Sequence, residues 1–118
     1  MLLDVRSFGL TGRQAELAMQ DAGVVANRNS VPFDPNGAWY TSGVRLGTPA
    51  TTTLGMGPSE MDEIADIICA VLSATEPTAA SGGPSKARYV VADGQAAKGA
   101  ARSAELLGRF PLYPTISL

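Results

Sequence analysis

The sequence predicts an α/β sandwich: a small sheet of about three strands with helices packed on one face. Three observations carry this. Short apolar or β-branched runs alternate with stretches of helical periodicity, a capping box at Thr11 announces one helix, and an amphipathic stripe marks another from about Ser59 to Ser73. At 118 residues the chain fits one domain with a hydrophobic core of its own.

Leu2-Leu3-Asp4-Val5 is short and apolar and reads as the first strand. Thr11-Gly12-Arg13-Gln14 has the spacing in which a threonine hydroxyl accepts from the amide three residues on while the glutamine reaches back. Ala15, Ala18, Met19 and Ala22 then recur at helical spacing, and Gly23 supplies a left-handed C-cap. Val24-Val25-Ala26 reads as a second strand. Pro32, Pro35 and Gly37 make residues 30–38 a loop, and Trp39 to Leu46 reads as a third strand. Thr48 to Gly57 is a connection.

The next helix is capped by Ser59 and has acidic residues in its first turn, where they complement the helix dipole. Its stripe is Met61, Ile64, Ile68, Val71 and Leu72, with Cys69 beside it as a small core residue. Thr75 to Pro84 is of low complexity, and the organisation follows from that: a core over 1–74, a flexible linker over 75–94, and a C-terminal helix and tail over 95–118. The terminal helix runs from Gln95 to Gly108 with Leu106, Leu107, Ala100 and Ala104 facing inward.

Composition excludes several function classes. Nine basic residues scattered through a chain of net charge −2 form no stripe for nucleic acid. No apolar run approaches the roughly 20 residues of a membrane span, and the N-terminus lacks the pattern of a signal peptide. Without histidine and with one cysteine, the chain alone cannot build a Ser-His triad or a His- or thiolate-ligated zinc site. A lone cysteine also excludes an internal disulfide and fits a reducing cytoplasm.

Two residues stand out. Arg45 sits between Gly43 and Gly47, where a strand flanked by small residues aims a planar fork of donors, matched to a carboxylate, into a cleft. Spacing alone favours a surface or salt-bridged arginine. Asn29 offers donor and acceptor edges suited to a flat heterocycle, although by itself it reads as a residue that shapes the turn before Val31-Pro32.

The segments Asn27-Arg28-Asn29-Ser30-Val31-Pro32 and Thr41-Ser42-Gly43-Val44-Arg45-Leu46-Gly47-Thr48-Pro49-Ala50 together resemble the small C-terminal domain of serine hydroxymethyltransferases. Gly9-Leu10-Thr11-Gly12, the Met61-to-Leu72 helix and Arg109-Phe110-Pro111-Leu112-Tyr113-Pro114 extend the resemblance over nearly the whole chain. It implies the sheet-and-helix fold of fold-type I pyridoxal phosphate (PLP) enzymes. It also implies that Arg45 grips the α-carboxylate of serine or glycine and that Asn29 bonds the pterin ring of tetrahydrofolate. The complete enzyme would convert serine and tetrahydrofolate to glycine and methylene-tetrahydrofolate.

The resemblance assigns no catalytic, cofactor-binding or metal-binding residue to this chain. In the family the PLP lysine follows Thr-(Thr)-His in a large domain, and neither Lys86 nor Lys98 has that context. Leu54 stands where the family often has an arginine. The implied picture is a domain inactive alone that works with a PLP-binding large-domain chain. Trp39, Tyr40 and Val44 are candidates for an exposed apolar face through which it docks or self-associates. The alternatives are a non-catalytic amino-acid or folate-binding module, a docking domain, or a vestigial fragment.

Overall fold

The computed structural model describes residues 1–116. Its first sheet has the order β1-β3-β2, from β1 (Leu2–Asp4), β2 (Asn27–Asn29) and β3 (Gly43–Arg45). Both outer strands run antiparallel to β3, pairing Leu2 and Asn27 with Arg45, and Asp4 and Asn29 with Gly43. β1 and β2 are therefore parallel, and α1 (Gly12–Asp21) crosses the sheet between them. Strand alternation turns Leu3 and Val44 toward the helix, where they join a core of Val5, Leu10, Ala15, Met19, Ile68, Val71 and Leu72. Leu2, Asn27, Asn29 and Arg45 share the opposite face.

α1 begins with the expected box. Gln14 N–H donates to Thr11 Oγ1 at 3.3 Å, and Thr11 N–H donates to Gln14 Oε1 at 3.0 Å. Gly23 takes a left-handed φ of 79°, as its place after the helix predicts. The strand expected at Val24–Ala26 lies three residues later, at Asn27–Asn29. Val24 N–H still donates to Met19 O in closing the helix, Val24 and Ala26 pack against the core, and Val25 is exposed. The polar residues 27–29 form the ladder instead. The strand expected from Trp39 to Leu46 shrinks to Gly43–Arg45, because the carbonyls of Tyr40 and Thr41 cap α1 rather than pair in a sheet. Val44, considered for an exposed face, is fully buried.

The connection after β3 contains a short helix, α2 (Pro49–Thr53). α3 spans Pro58–Ser73 and is capped differently from the expectation: proline occupies its first position and Glu60 accepts Gly57 N–H at 2.8 Å, so Ser59 lies inside the helix. That bond chiefly holds the Glu60 carboxyl below its usual range. Ile67, outside the predicted stripe, is buried, whereas Cys69 is exposed, because the helix turns its 67–68 and 71–72 pairs inward.

Residues 75–94, read as a linker, carry an antiparallel hairpin of β4 (Thr75–Ala80) and β5 (Gly83–Val91), with a register shift between Pro77 and Ala79. α4 (Gln95–Arg109) follows. It packs through Gly99, Ser103 and Leu106, while Ala104 and Leu107 are exposed. Small residues face inward because α4 meets α1 at its very end: a methyl at Gly99 would lie 2.8 Å from Ala22 Cβ, and Ser103 Oγ donates to Ala22 O at 2.9 Å.

Candidate functional site

The face that bears Arg45 is built by the segment 31–45. Gly12 and Arg13 carry N–H groups that no turn of α1 satisfies. They donate to Thr41 O at 3.0 Å and Tyr40 O at 2.9 Å. This close crossing requires glycine, since a methyl at Gly12 would lie 2.0 Å from Thr41 Oγ1 and 2.5 Å from Gly43 O. Thr41 is held at a left-handed φ of 59°, and its hydroxyl donates to Gly43 O at 3.3 Å. Gly43 is enclosed in turn: a methyl there would lie 2.7 Å from Asn29 O and 2.9 Å from Val31 Cγ1.

Asp34 is the hub of this segment and was not singled out from the sequence. Its Oδ2 accepts Val31 N–H at 3.1 Å and Ser42 N–H at 2.8 Å; its Oδ1 accepts Asn36 N–H at 2.8 Å and Ser42 Oγ–H at 2.6 Å. Desolvation pushes the carboxyl up, but the bonds from the Ser42 hydroxyl and the three amides outweigh it, and the pKa falls to about 2. Asp-Pro followed by Asn-Gly, residues 34–37, is the signal that marks such a side-chain-to-backbone turn.

Arg45 emerges from this scaffold on the outer face, opposite Leu2 and Asn27, and is exposed. Among the described residues its guanidinium has neither an ion pair nor a hydrogen bond, whereas Arg6, Arg28 and Arg109 are paired with Asp4, Glu16 and Glu63. Asn29 lies on the same face, two residue pairs along, and its amide donates to Ser30 O at 2.9 Å. Its carbonyl oxygen accepts no bond among the described residues. The two sequence-selected residues are thus on adjacent strands and one surface, with Asn27 beside them.

Trp39 is exposed, yet two guanidinium groups lie over its ring, Arg13 at 5.1 Å and Arg28 at 4.9 Å from the ring centre. It forms a polar-rimmed joint rather than an apolar face. The apolar surface lies elsewhere, in a groove of about 620 Å³ beside the open end of the sheet, bounded by α3 and α4 and rimmed by Arg45 and Asn27.

Among the described residues neither lysine is placed to hold PLP. Lys98 is exposed on α4, and Lys86 is exposed on β5 with its ammonium 5.9 Å from the Tyr40 ring. Neither enters the groove. Among the described residues no cluster of ligating side chains could hold a metal ion, and no helix is long and apolar enough to cross a membrane.

The family model for serine hydroxymethyltransferase matches residues 1–68. Serine hydroxymethyltransferase of Cutibacterium acnes is 62% identical over 119 residues, covering 99% of this chain and 24% of that protein. That of Mycolicibacterium smegmatis is 59% identical over 118 residues, covering 100% and 23%. That of Treponema pallidum is 56% identical over 117 residues, covering 98% and 20%. The chain spans about a quarter of the length of the curated relatives it matches.

Proposed function

Because the chain belongs to the serine hydroxymethyltransferase family, we propose that it serves as the C-terminal domain of a transferase that moves the hydroxymethyl carbon of serine to tetrahydrofolate. Arg45 binds the amino-acid carboxylate, and Asn29 binds the donor–acceptor edge of the folate. The observation that carries this reading is Arg45 itself. A rigid strand presents it on a face shared with Asn29, while three of the chain's other arginines are already paired. An unpaired guanidinium held this way retains its bidentate capacity for an incoming carboxylate.

PLP in the complete enzyme supplies the carbanion chemistry. Since no lysine here fits it, the rest of the polypeptide holds it, and this chain binds and orients substrate only. The isolated chain is accordingly inactive. Its lone cysteine supports a cytoplasmic setting.

The test is a chimera in which this chain replaces the matching quarter of the Cutibacterium acnes enzyme. Arg45→Ala should raise KM for serine by roughly 10- to 100-fold, the value of a lost charge-assisted hydrogen bond. Arg45→Lys should recover little, because the fork geometry is lost. Asn29→Ala should raise KM for tetrahydrofolate and leave that for serine unchanged. An active chimera indifferent to Arg45→Ala would overturn the reading.

A further inference from the structure

We propose that Asp34 is a positioning residue for the folate side of the site: its carboxylate fixes the edge strand β2 against β3 and so sets where Asn29 stands relative to Arg45. The proposal rests on the folate-binding role given to Asn29.

β2 does not fix its own register. It has three residues, pairs only with β3, and reads Asn-Arg-Asn, with no apolar residue to choose the core face. A slip of one residue would carry Asn27 and Asn29 to the helix side of the sheet and Arg28 to the outer face. β3 is in the opposite position. It pairs on both sides, Val5 N–H donates to Ser42 O at 2.9 Å, and the carbonyls of Tyr40 and Thr41 are held by the start of α1. β2 is instead held from outside the ladder, by Glu16, which accepts Arg28 N–H at 2.6 Å, and by Asp34.

Asp34 does this with one oxygen. Its Oδ2 accepts Val31 N–H at 3.1 Å and Ser42 N–H at 2.8 Å. Val31 lies two residues past Asn29, and Ser42 lies one residue before Gly43, the ladder partner of Asn29. The oxygen therefore bridges the two chains just beyond the last pair, where a further rung of the ladder would be. Oδ1 anchors the bridge by accepting Asn36 N–H at 2.8 Å and Ser42 Oγ–H at 2.6 Å. The residues ahead of Asp34 and Ser42 bend to suit: Phe33 at φ 56° and Thr41 at φ 59° are left-handed without being glycine. Such conformations persist only where the surroundings over-determine them. The Phe33 side chain is fully exposed, so the bonds of Asp34, and not packing, hold that turn.

Loss of the bridge would thus free β2 and leave β3 in place. Asn29 would shift, whereas Arg45, on the central strand, would stay. Asp34 should act on folate binding and spare the amino acid.

The test uses the chimera with the Cutibacterium acnes enzyme. Asp34→Ala should raise KM for tetrahydrofolate by roughly three- to tenfold, as for one misplaced hydrogen bond. Both kcat and KM for serine should stay within about twofold. In an Asn29→Ala background the same substitution should add nothing, because the group it positions is gone. Asp34→Asn keeps one oxygen for the bridging place and should recover most of the tetrahydrofolate KM. Where Asp34→Ala does not fold, Asp34→Glu, which sets the oxygens one methylene too far, should show the same rise. Equal rises in both KM values, a fall in kcat alone, or a full additive effect on Asn29→Ala would reduce Asp34 to a general support of the fold and overturn the proposal.

Amide exchange in the full chain by itself gives a readout without folate. Asp34→Ala should speed exchange at residues 27–29 more than at 2–4, and equal acceleration overturns the proposal. An Asn29→Ala chimera with unchanged KM for tetrahydrofolate would instead overturn the role of Asn29, and the exchange result would still show whether Asp34 holds β2.

Discussion

The two sheets of this domain are fastened to the same helix by opposite means. The three-stranded sheet meets α1 through side-chain identity: Gly12 admits the crossing chain, Gly43 fits under Val31, and Asp34 gathers Ser42, Asn36 and Val31. The hairpin meets α1 mainly through its backbone, with one side-chain bond, from the Tyr89 hydroxyl to Asp21 Oδ2 at 2.7 Å. Gln14 Nε2 donates to Ser85 O at 2.7 Å and Arg88 O at 2.9 Å, and Thr11 Oγ–H donates to Lys86 O at 2.7 Å. A side-chain lock dictates its residues, whereas a carbonyl offered to a fixed receptor can belong to almost any residue.

Breaking the first fastening should have the largest effect. Gly12→Ala places a methyl against Thr41 Oγ1 and Gly43 O and should destabilise the chain by about 3 kcal/mol in urea unfolding. A near-neutral result would show that the crossing is loose and the contrast unfounded. Breaking the second, Gln14→Leu strands the buried Thr11 amide and two hairpin carbonyls. It should cost about 2 kcal/mol and speed amide exchange in 83–91 more than in 43–45.

Acid should separate the two sheets further. The native pKa of Asp34, about 2, lies below the ~3.9 of a free aspartate. Its contribution is therefore fully present above about pH 4 and is lost as pH falls toward 2. Trp39 emission should follow that loss in the wild type, and Asp34→Asn should remove this part of the pH dependence; an identical acid profile in the variant would place the effect elsewhere. The smallest change is expected at the outward side chains of β5. Lys86→Ala and Arg88→Ala should each stay within about 0.5 kcal/mol, because the hairpin lends its carbonyls and not these groups. A larger loss would mean that the second fastening also reads these two side chains.

The same contrast explains what the sequence revealed. The Thr11 box, the α3 stripe and the Thr-Ser-Gly-Val-Arg segment were legible because each works through particular side chains at particular spacings. Arg45 and Asn29 were found by resemblance, and the sheet places them on one surface without testing what they bind. β2 was displaced from its apolar neighbours because Asn27-Arg28-Asn29 is fixed from outside its own pattern. Glu16 accepts Arg28 N–H at 2.6 Å and pairs with its guanidinium at 3.2 Å. The hairpin escaped notice because its first strand reads Thr-Glu-Pro-Thr-Ala-Ala, which carries no alternation, and its anchors lie some 70 residues away in Gln14 and Thr11. Cys69 was misplaced because one helical stripe does not distinguish a core from an uncovered groove.

Gln14 has a consequence for the order of folding. Its carbonyl oxygen is engaged by Thr11, three residues away, while its amide nitrogen reaches residues 71 and 74 positions on. The cap closes on the fast timescale of helix formation, about a microsecond or less, whereas the distant contacts must await closure of a long loop. The early event fixes the orientation of the amide that the late one needs. α1 thus acts as a template, prepared locally and filled last by the hairpin.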